Sequence, residues 1–457
     1  MRTSTATGTS AVSPWTVPSG TPVEVAGDAW ARSQADRFAE ALRPRVMGPR
    51  LSAAVGAGPE TCHVLDAKYE PGVRATVLYA HGDNLLRGDL LAVAPRSANA
   101  VGGVPAVVAP GLRICSFPHD PDLGSLPRLM DATVLGPVLT AALAGQPDAS
   151  SRRRAARCRV RLLRYRPGKR ATVLVTFGAG AASYVAKAYH DPAKAAAVAC
   201  EAPALAAGSD EWRVLRLAPT VAHVPELAMV VQRAVRGVPL DVLVGTGRGC
   251  DRRAANGVAL AAAALAELHR SPRASTRQRP VDRELDRFGV RSARIATVDA
   301  RFGAAAARLA ERLVSVGTAL PAGRTGLVHG DCKPSQFLLF GTHAYLLDLD
   351  HLGVSDQAVD AGTFLATLRQ LATRHLLARR SAAGAEWLAR LAGVFLDTYV
   401  DRSGADPSGA RIRVRWQEAV ALERKALRAF ARAPASPLAG ALVDVADRCL
   451  DELEGAL

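Results

Sequence analysis

Residues 327–350 read LVHGDCKPSQFLLFGTHAYLLDLD, and both the fold and the chemistry of the chain turn on them. Asp331 and Asp348 stand 17 residues apart, each closing a short apolar run, and Gln336 follows Asp331 by five. The runs FLLF and AYLLDLD on either side of GTH predict a hairpin. That hairpin brings the two acids and the amide to one edge of a small sheet. An Asp that orients an attacking hydroxyl and takes its proton, with an amide and a second carboxylate holding Mg²⁺ on nucleotide phosphates, is what phosphoryl transfer requires. The bland alternative is a hairpin carrying solvated acids.

This order resembles the catalytic segment of the aminoglycoside phosphotransferase family, small-molecule relatives of the protein kinases. Its pattern runs H-G-D-x-x-x-x-N, then hydrophobic-D-x-[DE]. His329, Gly330 and Asp331 match, Asp348 matches the metal-binding Asp, and Asp350 the acid after it. Gln336 departs from the usual Asn but offers the same amide oxygen one methylene further out. Bacterial maltokinase-like sugar kinases are similar and also carry Gln there. The resemblance implies an α+β, bilobal protein-kinase-like fold with a β-rich N-lobe and a helical C-lobe. It implies ATP and Mg²⁺ as cofactors, Asp331 and Lys333 as catalytic residues, and Gln336, Asp348 and Asp350 at the metal. Lys333, two residues after Asp331, is similar in placement to the Lys of the D-x-K-P spacing in Ser/Thr protein kinases, which steadies the γ-phosphate.

A nucleotide lobe is expected upstream. CRVRLLRYRPGKRATVLV (158–175) reads strand, turn, strand, broken at Pro167-Gly168. The turn at Gly168 is expected to lay backbone N–H groups over phosphates, although a plain hairpin reads equally well. In SYVAKAYHD, Lys187 sits where the kinase fold places its phosphate-binding lysine. Glu201, on an Ala-rich helix opened by Asp191 and Pro192, is expected to pair with it. Only six of the 58 basic residues are Lys, so a Lys kept at 187 and at 333 suggests a need for a compact point charge. ELAMVVQRAVRGVPL (226–240) is similar to the family's strand and hinge, which places adenine near Gln232, Arg233, Ala234 and Val235. His269, ending the helical pattern 254–270, is expected to be a packed or capping residue.

The N-terminal part contains an internal repeat. YEPGVRATVLY (69–79) and YRPGKRATVLV (165–175) agree at 8 of 11 positions, 96 residues apart. Aligning the strands that follow puts Val93 where Lys187 falls. The first copy therefore reads as an extra N-terminal cap resembling a degenerate N-lobe, and its His81-Gly82-Asp83 as a decoy at a hairpin tip. The expected domains are a disordered tail (1–25), the cap (26–150), the N-lobe and hinge (151–236) and the C-lobe with the acceptor site (237–457). The basic run 151–154 reads as a linker. Beyond Asp350, helical periodicity is expected near 358–380, 385–401, 413–434 and 438–456.

Composition excludes several classes. No apolar run reaches the length of a membrane span. Seven scattered cysteines without a CxxC pair suggest reduced thiols and a cytoplasmic protein. The net charge of +16 comes with only 5% aromatic residues and dispersed Arg, which argues against nucleic-acid readout. Ala-, Arg- and Gly-rich usage is typical of actinobacterial proteins. Arg424, Arg428 and Arg432 share one helix face, read as solvated or as a dock for an acidic partner or peptide. Residues 357–457 hold 14 Lys and Arg against 12 Asp and Glu, so the acidic excess a polycationic antibiotic would want is missing there. The expected function is an ATP-dependent phosphotransferase with an alcohol group as acceptor, acting on a small molecule such as a sugar, aminocyclitol or natural-product intermediate. The alternatives are a kinase for Ser/Thr of a precursor peptide in lanthipeptide-like (RiPP) biosynthesis and a nucleotide-binding pseudokinase or scaffold.

Overall fold

The computed structural model describes residues 24–56, 58, 60–90, 106–109, 111–144, 153, 155–178, 182–207, 212–245, 252–273, 275–378 and 382–455. The tail expected at 1–25 and the linker expected at 151–154 lie almost wholly outside these residues, as does Val93.

Two helices, α1 (Glu24–Ala41) and α2 (Pro44–Val55), lead into an antiparallel sheet of β1 (Cys62–Glu70), β2 (Arg74–His81), β3 (Asn84–Leu90), β4 (Ala106–Ala109) and β5 (Leu112–Ser116). Its strand order is β1-β2-β3-β5-β4. Short helices α3 (Leu126–Met130) and α4 (Ala132–Ala144) connect it to a second sheet. That sheet contains β6 (Arg159–Arg166), β7 (Arg170–Thr176) and β8 (Tyr184–Tyr189), then, beyond α5 (Pro192–Ala206) and the short strand β9 (Leu215–Leu217), β10 (Thr220–Val224) and β11 (Met229–Arg233). Asp191 caps α5 as its sequence suggests: the carboxylate accepts from Ala193 N–H at 2.9 Å, with Pro192 in the first turn.

The repeat folds into matching hairpins. Glu70 faces Arg74 and Tyr69 faces Ala75, as Arg166 faces Arg170 and Tyr165 faces Ala171. The third strands correct the sequence alignment. Thr172 faces Lys187, and its counterpart Thr76 faces Asp89, so Asp89 and not Val93 holds the place of Lys187. The reason is loop length: β2 turns into β3 directly, with His81 opposite Asn84, whereas a longer connection separates β7 from β8. The first copy has an acid where the second has its lysine.

After β12 (Val238–Pro239) the chain is largely helical: α6 (Leu240–Gly245), α7 (Arg252–Arg270), α8 (Asp282–Ala296) and α9 (Ala300–Ala319). The catalytic segment supplies β13 (Thr325–Val328), β14 (Phe337–Phe340), β15 (His343–Leu346) and β16 (Gly353–Asp356), followed by α10 (Ala358–Leu377), α11 (Ala382–Ser403), α12 (Pro407–Arg432) and α13 (Leu438–Glu454). The expected hairpin forms, with Phe337 opposite Leu346. Helices α8 and α9 have no counterpart in the sequence-based expectations.

Three main cores hold these parts. The second sheet packs Tyr165, Val173, Ala186 and Val231 against Leu129, Leu135 and Leu139 of α3 and α4. Leu265, Phe337, Phe364 and Phe395 form the centre of the helical part. The N-terminal sheet instead shares a core with the C-terminal helices: Tyr69, Tyr79 and Ile114 pack in one cluster with Phe288, Leu309, Trp416 and Leu442. It therefore sits beside the catalytic segment and walls off a space in front of Asp331. None of the described helices is long and apolar enough to cross a membrane, and the six described cysteines are all free.

Candidate active site

The catalytic loop begins where β13 ends. Gly330 has φ 78°, and a Cβ there would collide with the His351 carbonyl, so the turn requires glycine. The loop is held from beneath by Asp360, a fully buried residue of α10. Its carboxylate accepts from His329 N–H at 2.6 Å, Gly330 N–H at 2.7 Å and His269 Nε2 at 3.1 Å. Burial works to raise the Asp360 pKa, but the bond from His269 and the nearby His329 bring it below the usual value. His269 also bonds the Tyr399 hydroxyl at 2.8 Å, the packed role expected for it. His329 Nε2 donates to the Leu347 carbonyl at 2.8 Å, tying the loop to the strand that delivers Asp348.

Asp331 is paired with Lys333. Burial would raise the Asp331 pKa, but Lys333, by charge and hydrogen bond, holds it well below the carboxylate range. Gln336 Nε2 lies 3.5 Å from Asp331 Oδ2 and 3.5 Å from Asp348 Oδ2, so the amide stands between the two acids. Asp348 adopts a left-handed backbone, φ 63° and ψ 59°, a conformation costing roughly 1–2 kcal/mol for a residue with a Cβ. Strain of this kind collects where a side chain must be aimed.

Two cations meet that carboxylate. Arg170 donates from Nη2 at 2.8 Å and Nη1 at 3.1 Å, and Lys187 from Nζ at 2.9 Å. Despite burial, they drive the Asp348 pKa far below the usual range. Asp350, only 2% exposed, accepts from Lys187 at 3.0 Å and from the Tyr189 hydroxyl at 2.7 Å, is bonded to Arg170, and has Lys194 at 3.8 Å. Asp331, Lys333, Gln336, Asp348, Asp350 and Lys187 are thus brought together.

The expected pairing of Lys187 with Glu201 does not form. Glu201 is bonded to Arg277, including Nε at 3.0 Å, and to Ser275 Oγ at 3.1 Å, while Lys187 turns to Asp348 and Asp350. Two carboxylates beside Lys187 compete more strongly than one on the helix. Gly168 has φ 64°, as its turn demands, but its N–H donates to Asp120 at 2.7 Å rather than facing an open site. Asp120 also accepts from the Tyr165 hydroxyl at 2.6 Å and pairs with Arg87, so the N-terminal sheet's loop anchors this hairpin. In the hinge span, Gln232 lies in β11, and the N–H groups of Arg233 and Ala234 are committed to Pro219 and Ser183 carbonyls at 2.8 and 2.9 Å. Val235 lies in the irregular stretch before β12.

Arg170, Tyr189 and Asp360 were not anticipated. Arg170 belongs to the internal repeat, which marked it only as part of a hairpin; Asp360 sits in an ordinary helical pattern. A cavity of about 1250 Å³ lies between the N-terminal sheet, the 164–169 turn, α8, α12 and the catalytic loop, with Asp331 and Lys333 on its wall. Arg424, Arg428 and Arg432 line it: Arg424 is 9% exposed and pairs with Glu284 at 3.1 Å, which departs from the solvated-face reading, whereas Arg428 and Arg432 are exposed, as that reading expects.

The sequence profile of the phosphotransferase enzyme family matches residues 164–394, about half of the chain. No curated protein matches the chain. Among solved structures, a choline/ethanolamine kinase family protein from Mesorhizobium loti is 18% identical, with 69% of this chain and 93% of that one covered and a TM-score of 0.42. A choline kinase from Cryptosporidium parvum is 12% identical over 71% and 97% of the two chains, with a TM-score of 0.47. An ADP-bound aminoglycoside phosphotransferase is 12% identical over 62% and 92%, with a TM-score of 0.41.

Proposed function

Because the chain belongs to the phosphotransferase enzyme family, we propose that it transfers the γ-phosphate of ATP to a hydroxyl of a small molecule, with Asp331 at the reacting centre. The observation that carries this is the placement of Gln336, 3.5 Å from both Asp331 and Asp348, beside a cavity that Asp331 lines. The donors are all oxygens: two carboxylates and an amide, the chemistry Mg²⁺ takes. Asp348, Gln336 and Asp350 would hold the ion, with the Gln336 amide turned to present its oxygen. Bound there, Mg²⁺ would offset the charge of the nucleotide phosphates.

The acceptor oxygen bonds to the γ-phosphorus as the bond to the β–γ bridging oxygen breaks, and ADP leaves. Asp331 accepts a hydrogen bond from the acceptor hydroxyl and takes its proton. A carboxylate held at so low a pKa is a weak base, so its main task is to orient the hydroxyl, and the proton moves late. Lys333 offsets charge on the transferred group, and Lys187 and Arg170 move from Asp348 and Asp350 to the ATP phosphates. Within the hinge span Gln232 to Val235, the N–H groups of Arg233 and Ala234 are engaged, which favours Val235 as the donor to adenine. The N-terminal sheet acts as a cap that walls the acceptor side.

The test is incubation with Mg·ATP and pools of sugars, polyols, aminocyclitols and their phosphate esters, followed by mass spectrometry. A mass gain of one phosphate on an acceptor, lost with Asp331→Asn and with Asp348→Ala, is expected. ATP binding with no transfer to any acceptor would instead favour a nucleotide-binding scaffold.

A further inference from the structure

The six lysines of this chain are its most informative basic residues. Of 58 basic residues 52 are Arg, yet every Lys falls either beside Asp348 and Asp350 or on the cavity in front of Asp331. Lys187 and Lys194 reach Asp348 or Asp350. Lys68, Lys169, Lys333 and Lys425 line the cavity in front of Asp331. They arrive from β1, the 166–170 turn, the catalytic loop and α12, so no single element explains their meeting. Ammonium groups are compact point charges, and a chain that otherwise uses Arg places them where several must approach one ligand.

The cavity is strongly positive. Among the described residues lining it, 17 are Lys or Arg and five are Asp or Glu. The acids are already engaged: Asp331 pairs with Lys333, Glu284 with Arg424, Asp89 and Asp122 with Arg87, and Asp66 with Arg432. Among the described residues, Lys425 is bonded to neutral groups, Thr367 Oγ1 at 3.0 Å and Gln370 Oε1 at 3.4 Å. Burial, then Arg424 and Arg428, push its pKa down to about 7. Burial, then Lys169 and Arg74, push Lys68 down to about 8. Arg428 is enclosed by cavity walls yet open to solvent within them, and burial with Arg424 brings it to about 10. Cations that depress one another in this way form a site that an anion would relieve.

Resting on the phosphotransferase assignment, we propose that the acceptor is itself a phosphate ester, a sugar or polyol phosphate whose free hydroxyl meets Asp331 while its existing phosphate groups lie among Lys68, Lys425, Arg428 and the α8 residues Arg287 and Arg291. A tetrahedral phosphate accepts from several directions at once, matching cations that converge from three elements, whereas a carboxylate is satisfied by one planar Arg fork. The space, about 1250 Å³, is ample for such a molecule beside the roughly 300–1,000 Å³ of ordinary ligand pockets. Neutral polyols and polycationic antibiotics gain nothing from these charges.

The proposal is tested by calorimetric titration of the full chain with glucose 6-phosphate and myo-inositol 1-phosphate, each beside its neutral parent, glucose and myo-inositol. The Lys425→Met/Arg428→Met variant is titrated in parallel, and Mg·ATP is titrated into both proteins. The phosphate esters are expected to bind and their parents not. The double variant should bind the esters at least tenfold more weakly and Mg·ATP as the parent protein does, which also shows that it is folded. Equal binding of ester and parent, unchanged ester binding by the variant, or esters bound only where ATP displaces them would overturn the proposal. So would Asp331-dependent phosphorylation of neutral acceptors alone, which leaves the kinase assignment standing. Ester binding with no Asp331-dependent transfer to any acceptor would remove the kinase assignment and the acceptor role together.

Discussion

At the residue scale, the site divides into groups that carry chemistry and groups that aim them. Asp331 belongs to the first. Its replacement by Asn keeps shape and hydrogen bonding but removes the base, and should lower kcat by about 10²–10⁴-fold with the ATP Kd unchanged. Because Lys333 holds this carboxylate well below its usual range, it stays ionised from pH 5 upward. The kcat profile should therefore show no acid limb near pH 4–6; a limb there would mean a raised pKa and a different base. Glu423 offers a stability test away from the site. It is fully buried, neither carboxylate oxygen has a hydrogen-bond partner among the described residues, and burial pushes its pKa up to about 8. The folded protein keeps a proton that the unfolded chain releases above about pH 4.5, so this group lowers stability as pH rises from 4.5 to 8. Glu423→Gln should raise stability at pH 7–8 by roughly 1–3 kcal/mol, with the gain vanishing near pH 4.5 in denaturant titrations. The spacing of Asp331, Gln336 and Asp348 made those three legible in the sequence, because one loop and one hairpin bring them together. Arg170 was not: it is one of 52 Arg residues, and its partners Asp348 and Asp350 lie about 180 residues away.

At the scale of elements, what matters is how loops are held. Asp360 on α10 fixes two successive N–H groups of the catalytic loop. Asp360→Ala leaves those donors and His269 without their acceptor in a dry interior and should cost about 3 kcal/mol or more of stability. Its effect on catalysis should be a fall in kcat beyond that of a merely less stable protein, measured well below the lowered melting temperature. Asp360→Asn keeps one acceptor oxygen and should recover part of both losses. The hairpins were readable from alternation and from the Pro-Gly turn, and the helices beyond Asp350 from their periodicity. Register was not. Sequence alignment could not see that β2 and β3 are joined by a tighter turn than β7 and β8, so it assigned Val93 to the place that pairing gives to Asp89. The Lys187–Glu201 pair failed for a similar reason: a local pattern located both residues but not the two carboxylates that outcompete Glu201.

For the whole molecule, the decisive feature is that the N-terminal sheet shares its main core with α8, α9, α12 and α13, while Leu78 of β2 joins the core of the second sheet. That arrangement creates the basic cavity, and it depends on contacts between residues more than 200 positions apart, such as Tyr79 and Phe288 in one cluster. The internal repeat made the N-terminal sheet visible in the sequence. Where it docks was not visible, since α8 and α9 were not anticipated. The net charge of +16 was legible, but its concentration around one cavity was not. Phe288→Ala should cost about 3–5 kcal/mol in denaturant titrations and, by loosening the docking, raise the acceptor KM with little change in ATP affinity.

The measurement that bears most directly on the central claim is the initial rate of γ-phosphate transfer from Mg·ATP to the acceptor found in the pools, in parent protein and Asp331→Asn at equal ATP saturation. A drop of at least about a hundredfold with intact ATP binding is the predicted result. Equal rates in the two proteins would show that Asp331 is not at the reacting centre.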